Sequence, residues 1–381
     1  MSEAVLFEER AVGGAARIGV ATLNSEKTLN ALSADMVALL APRFKAWAAD
    51  PDIALVMLQG AGEKALCAGG DLHSLHRSMS EYRAAAATDI RANRYACGFF
   101  ADEYRLDFEI HHFPKPVLCW GHGIVMGGGI GLMSGASHRI VTDGSRLAMP
   151  EISVGLYPDV GGSWQLGRAP GRTGLFLALT GAQIRAADAI FAGLADLYIP
   201  QADKPRVVQA IVDHPWTRDP STNRQHLGRL LTGFARQPDP AKGPLRTHFD
   251  LINRVCRHAT LAEIVPDILA LADSHGDDPW LMKAVSTLRA GSPGSARIGY
   301  ELQRRTRRMS LADVFRLELI VSLHCAAHGD FQEGIRALLI DKDGKPAWQP
   351  ATLDGASKAW VEQFFVSPWS PAEHPLADLG H

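Results

Sequence analysis

The 381-residue sequence predicts an α/β fold with mostly parallel strands in its first half and a mainly helical region after it. Three observations carry that expectation. Up to roughly residue 200, short continuous apolar runs alternate with stretches of helical periodicity, the pattern of buried parallel strands joined by helices. From Lys204 onward helical periods dominate, broken by Pro/Gly/Arg-rich stretches at 237–244 and 289–297. Hydrophobic residues make up 46% and charged residues 21%, so a sizeable core can form without disulfide or metal staples. The expected organisation is an α/β core over residues 1–205 and a mainly helical region over 206–381, with no internal repeat.

Taken in order, residues 17–23 read as a strand ending in an Asn24-Ser25 turn. Ser33 suits the N-cap of a helix whose apolar positions Met36, Leu39, Leu40, Phe44 and Trp47 recur at helical spacing, and Pro51-Asp52 stops it. Residues 53–58 are an apolar run ending at Gly60, as a buried strand should be. The runs at 116–120 and 124–126 repeat that pattern before Gly127-Gly128-Gly129, and 138–142 is a further strand. Helices are expected at 174–179 and 186–197, then a short strand and stop at Tyr198-Ile199-Pro200. Ser310 caps a helix through Ala327; 331–339 is apolar at helical period, and the chain turns at 340–344.

Composition excludes several functions. With 39 basic and 41 acidic residues the net charge is −2, so no global field recruits nucleic acid or an anionic membrane. No stretch approaches the ~18 unbroken apolar residues of a membrane span. The five cysteines, at 67, 97, 119, 256 and 325, form no CxxC pair, which argues against a zinc ribbon, a thioredoxin-like site or a disulfide scaffold. The first ten residues read neither as a secretory signal nor as a transit peptide, so a cytoplasmic protein is expected. His73, His76, His111, His112 and His122 lack a completing ligand set, so no metal is expected. Ser163 lacks the GxSxG elbow of a serine hydrolase.

Three segments have the composition of a reaction site. In the first, a strand runs into Gly127-Gly128-Gly129 and then an apolar helix; glycine permits close approach of a ligand, and the helix start aims N–H groups at negative charge. The ligand is either a phosphate or a carbonyl oxygen under attack, and a tight packing turn is the plain alternative. In the second, Lys64-Ala-Leu-Cys-Ala-Gly-Gly-Asp71 follows the 53–58 strand, so two glycine segments could each give one donor to an oxyanion. Asp71 suits a helix cap there, and Cys67 a small buried thiol. In the third, Glu151 and Asp159 lie eight residues apart in a Pro/Gly-rich apolar loop, an environment that splits two carboxyl pKa values. Alternatively, Glu151 and Asp159 cap local turns.

Together these segments resemble the crotonase (enoyl-CoA hydratase/isomerase) superfamily. The resemblance rests on Leu29-Asn-Ala-Leu32, Ala65-Leu-Cys-Ala-Gly-Gly-Asp71, Met126-Gly-Gly-Gly129 and Ala148-Met-Pro-Glu151, in the family's order and spacing. Hydratases carry a catalytic Glu two residues after the glycine triplet; Gly131 stands there in this chain. The pattern is instead similar to the 3-hydroxyisobutyryl-CoA hydrolase branch, through Met126-Gly-Gly-Gly-Ile-Gly-Leu132, the segment from Met149 to Gly162, Leu177-Ala-Leu-Thr-Gly181 and the motif from Phe331 to Pro350.

The resemblance implies a crotonase-like ββα spiral core, with the helical C-terminal region covering the acyl-CoA site. It implies hydrolysis of a short branched β-hydroxyacyl-CoA, 3-hydroxyisobutyryl-CoA above all, a step of valine catabolism. Glu151 and Asp159 would be catalytic, the N–H groups of Gly70 and Gly128 would form the oxyanion hole, and Glu103, Lys27, Leu29 and Asp71 would bind substrate. The adenine and phosphates of coenzyme A would meet a strand end at Lys27 to Leu29, with Lys342 or Lys345 adding a basic contact. No separate cofactor is implied, since coenzyme A enters as part of the substrate, and the family's trimers make a homo-oligomer an expectation. Enoyl-CoA hydration or isomerisation, and acyl-CoA binding without catalysis, are the alternatives.

Overall fold

The computed structural model describes residues 3–13 and 16–380. The chain forms two compact units interleaved in sequence, the first from Met1–Gly70, Leu106–Leu147 and Ile184–Pro244, the second from Asp71–Arg105, Ala148–Gln183 and Leu245–His381. The units therefore do not divide at residue 205.

The first unit is built on nine short strands: β1 (Val5–Ala11), β2 (Arg17–Leu23), β3 (Ile53–Gly60), β4 (Ala65–Cys67), β5 (Val117–Gly121), β6 (Ile124–Met126), β7 (His138–Val141), β8 (Arg146–Ala148) and β9 (Leu197–Tyr198). Six form one sheet in the order β1-β2-β3-β5-β7-β9, and β4-β6-β8 form a second. In the larger sheet β1 is antiparallel to β2 and every other pairing is parallel. The apolar runs of β3 and β5 are buried almost throughout because helices cover the parallel sheet. Val207, Ile211, Leu227 and Leu231, from the helices Lys204–Asp213 and Pro220–Phe234, pack with Ile18, Leu55, Leu118, Trp120 and Ile140.

Helix α1 (Ala34–Ala49) starts where expected, with Ser33 Oγ accepting the Met36 N–H. Met36, Leu40, Phe44 and Trp47 are buried, but Leu39 faces solvent, one helical step off the apolar stripe. The helix expected over 186–197 stops at Phe191, and Gly193 follows in the left-handed region at φ 75°. Strand β1 escaped the sequence reading because Glu8, Glu9 and Arg10 mask its alternation; charge of this kind is usual on an edge strand.

The second unit contains α2 (Leu72–Ala84), the N-terminal part of α3 (Arg94–His111) and the helices within 148–183 and 245–380. After β9 no further strand occurs among the described residues. Ser310 Oγ caps the helix Leu311–His328 by accepting the Asp313 N–H. The stretch expected as one helix over 331–339 is a helix, Asp330–Ile335, that widens into a π turn over Arg336–Ile340. Tyr104 of α3 is fully buried, its ring 5.8 Å from Phe100 and 5.7 Å from Phe315.

Candidate active site

In the first unit, β4 and β6 pair in parallel through Ala65↔Ile124 and Cys67↔Val125, so both glycine segments leave the sheet at the same end. Their turns use backbone that glycine alone adopts readily, with φ 113° at Gly69 and 47° at Gly127. A Cβ on Gly129 would fall 2.4 Å from the Cys67 carbonyl oxygen, so only glycine lets α4 (Gly128–Ser134) begin against the end of β4. Leu32 N–H donates to Gly69 O and Ala68 N–H to Leu29 O, a pattern that does not use the Gly70 N–H. Gly128 is the first residue of α4 and has no acceptor within the helix. Two main-chain N–H groups thus stand at neighbouring strand ends.

Lys27 and Leu29 lie not on a strand end but in and just after a 3₁₀ turn, Glu26–Thr28, with Leu29 and Asn30 both at φ 56°. The fully buried Asn30 side chain fixes this conformation: it donates to Ala61 O and Ala65 O and accepts the Ser25 N–H. The turn borders a cavity of about 230 Å³ lined by Glu26, Lys27, Leu29, Asn30, Ala61, Lys64 and Ala65. Asn30 and Lys64 sit inside the motifs quoted above, yet spacing alone gave neither a role.

In the second unit the carboxyls of Glu103, Glu151 and Asp159 come within electrostatic range of one another, all buried. Burial, then the charge of Asp159, pushes Glu103 well above the usual carboxyl range. Glu151 opens the 3₁₀ turn Glu151–Val154, and burial and the Asp159 charge raise it in the same way against the pull of its own N–H. Its Oε2 is buried with no hydrogen-bond partner. Asp159 is raised less, to about 6, because Tyr104 Oη donates to its Oδ2 at 2.6 Å. So the pair at 151 and 159 is split, with Asp159 the more acidic. Among the described residues no group of three or more His, Cys, Asp or Glu side chains is placed to hold a metal ion.

Asp71 caps α2: its Oδ1 accepts the Ser74 N–H and its Oδ2 the Ser74 hydroxyl, so both oxygens are engaged. Asp159 caps no helix with its side chain. That task falls to Glu318, in the middle of the helix Leu311–His328, whose carboxyl accepts the N–H groups of Gly161 and Ser163 and the Ser163 hydroxyl. Sequence reading missed Glu318, although a lone carboxyl between Leu317 and Leu319 was a usable signal.

Burial pushes Glu318 up to about 8 against these three donors. The folded state therefore holds a proton that the unfolded chain has released, and stability is lost as pH rises through that value. Glu318 is expected to contribute about 2 kcal/mol less to the unfolding free energy at pH 8 than at pH 6. Glu318→Gln should reduce the fall in stability between the two pH values by that amount, as read by urea denaturation; an unchanged slope would place the proton elsewhere.

A family model described as enoyl-CoA hydratase/isomerase matches residues 18–365. The chain belongs to that family. Within the enoyl-CoA hydratase/isomerase family, it is 36% identical over 366 residues to a protein of Danio rerio named 3-hydroxyisobutyryl-CoA hydrolase, mitochondrial, covering 95% of this chain and 89% of the relative. The Homo sapiens protein of the same name is 32% identical over 369 residues, covering 96% and 89%. A solved structure described as a carnitinyl-CoA dehydratase from Mycobacterium thermoresistibile superposes with a TM-score of 0.82 at 35% identity, covering 96% of this chain and 97% of the other. One described as an enoyl-CoA hydratase from Rhodobacter sphaeroides gives 0.78 at 34% identity, covering 96% and 98%. The fold of this family member is crotonase-like. No helix among its described residues is long and apolar enough to cross a membrane.

Proposed function

We propose that this family member hydrolyses the thioester of 3-hydroxyisobutyryl-CoA or a close short β-hydroxyacyl-CoA, releasing the hydroxy acid and coenzyme A. The observation that carries the reading is the pairing of a buried Glu151 carboxyl, its Oε2 without a hydrogen-bond partner, with Gly131 at the position of the other hydratase carboxylate. Hydration across a double bond draws on two carboxyls; attack at a carbonyl needs one, together with donors for the oxygen. Glu151 either adds to the thioester carbonyl, forming an anhydride that water then opens, or takes a proton from the attacking water. The sum is the same: the C–S bond breaks, a C–O bond forms, and the sulfur leaves with a proton. Asp159 handles that proton or orients the 3-hydroxyl, Glu103 lines the acyl group, and the Gly70 and Gly128 N–H groups receive the thioester oxygen. The scheme uses no metal and no bound cofactor.

The cavity beside Lys27 and Lys64 suits the anionic end of coenzyme A. Exposed single charges add little each, so Lys27→Ala or Lys64→Ala is expected to raise KM roughly three- to tenfold and leave kcat unchanged. The KM penalty should shrink at high salt; a kcat effect of equal size would move these lysines out of that role.

Hydration has its own supporting observation, the hydratase and dehydratase descriptions of the two structures above. Thiol release from 3-hydroxyisobutyryl-CoA, measured beside hydration of crotonyl-CoA, separates the readings. Release without hydration supports the hydrolase, and hydration alone would replace it. The vertebrate relatives named above are described as mitochondrial; fractionation of the source cells tests that location against a cytoplasmic one.

A further inference from the structure

Asp159 sits at the end of a line of buried hydroxyls. Tyr104 Oη lies 2.6 Å from Asp159 Oδ2, and Ser322 Oγ is 2.7 Å from Tyr104 Oη. Tyr157 Oη follows at 2.8 Å from Ser322 Oγ, and lies 2.7 Å from the main-chain oxygen of Glu318. Tyr104, Tyr157 and Ser322 are each fully buried. The line has four links, and each of its three hydroxyls has one proton to donate.

When Asp159 is ionised, the protons point inward, from Tyr157 to Ser322 to Tyr104 to the carboxylate. The Glu318 carbonyl then keeps the Ser322 N–H as its helical donor. When Asp159 carries a proton on Oδ2, the line reverses and ends on the Glu318 carbonyl. No buried hydroxyl proton is stranded in either state, so changing the charge of Asp159 requires hydroxyl rotations and no unpaired polar group.

We propose that Tyr104, Ser322 and Tyr157 are positioning residues forming a reversible hydroxyl line, which lets Asp159 gain and lose a proton during the hydrolysis without stranding a buried polar group. This rests on the reading that Glu151 and Asp159 carry the hydrolysis. In the step, an O–H bond to Asp159 forms as the proton arrives and breaks as that proton passes to the departing sulfur. The groups facing Asp159 are Glu103 and Tyr104 from α3, Glu151 from its 3₁₀ turn, Tyr157 from the same loop, and Glu318 and Cys325 from the helix Leu311–His328. With that many acids close by, a second charge is costly, and the cluster shares its first. Asp159, at about 6, holds it at rest. Burial and the charge of Asp159 push Glu151 and Glu103 well above their usual range.

The test is the pH profile of kcat/KM for thiol release from 3-hydroxyisobutyryl-CoA by wild type, Tyr104→Phe, Ser322→Ala and Tyr157→Phe. Removing the donor to the carboxylate should raise the acidic midpoint of Tyr104→Phe by about one pH unit, the usual worth of one charged hydrogen bond. Ser322→Ala should move it less and Tyr157→Phe least, all in the same direction, with the alkaline plateau within a few-fold of wild type. A uniform loss of rate with an unmoved midpoint would overturn the proposal and make these groups structural. If Tyr104→Phe does not fold, the order of the other two variants decides. Infrared titration of the protonated-carboxyl band lost in Asp159→Asn reads the same shift without turnover, so failure of the hydrolase reading stays distinct from failure of the hydroxyl line.

Discussion

Glu151→Gln is expected to lower kcat for coenzyme A release at least about 10³-fold, within the range that a general base or nucleophile supplies. The amide neither accepts the proton nor attacks the carbonyl, and it fits the same space. Stability should not fall with activity. Burial and the neighbouring charge already disfavour the ionised carboxyl, so a neutral isostere removes that tension. An unchanged or raised midpoint of thermal unfolding beside the lost rate is the expected pair of results. Retained activity in Glu151→Gln would mean that another of the buried carboxyls does the chemistry.

The second large effect concerns a residue that touches no substrate. Gly334, on the helix Asp330–Ile335, lies against the turn that carries Glu151, and a Cβ there would fall 2.3 Å from the Val154 carbonyl carbon and 2.4 Å from its oxygen. The neighbour is main chain, so no side chain can swing away. Gly334→Ala must displace the helix or the turn, at a cost of about 1–3 kcal/mol. Because misplacing a catalytic group by about 1 Å can cost 10²-fold, kcat should fall by about that factor. Gly299, in the helix Pro293–Thr306, is the control: its added Cβ would meet only Pro158 and Tyr157 atoms at 3.9 and 4.0 Å. Gly299→Ala should leave kcat intact and add about 0.5–1 kcal/mol of stability, since alanine loses less backbone entropy in a helix. Equal kcat in Gly334→Ala and wild type would show that the turn tolerates the shift.

The legibility of this chain varied with how local each cause was. Ser33 and Ser310 were readable as helix caps because a cap is satisfied within four residues. The 53–58 run was readable as β3 because a strand buried on both faces must be continuously apolar. The four motifs were readable as a family because their order and spacing are properties of the string. By contrast, β4 and β8 are too short to carry a period, and Lys27 to Leu29 reads as a strand end although it forms a turn. What holds that segment in its turn is Asn30, bonding to Ala61 and Ala65 more than thirty residues away.

The sequence by itself determined which residue types are present for the chemistry: one carboxyl at 151, another at 159, glycine at 131, and glycines at two strand ends. Only the tertiary structure decided their relative acidities. Glu151 and Asp159 share one loop and nearly one composition, yet Tyr104 donates to Asp159 and leaves Glu151 Oε2 bare. The donor comes from fifty-five residues up the chain, and the rest of its hydroxyl line from residues at 157 and 322. A pKa follows burial and the direction of nearby donors, which are properties of position in space, and no spacing along the chain encodes them.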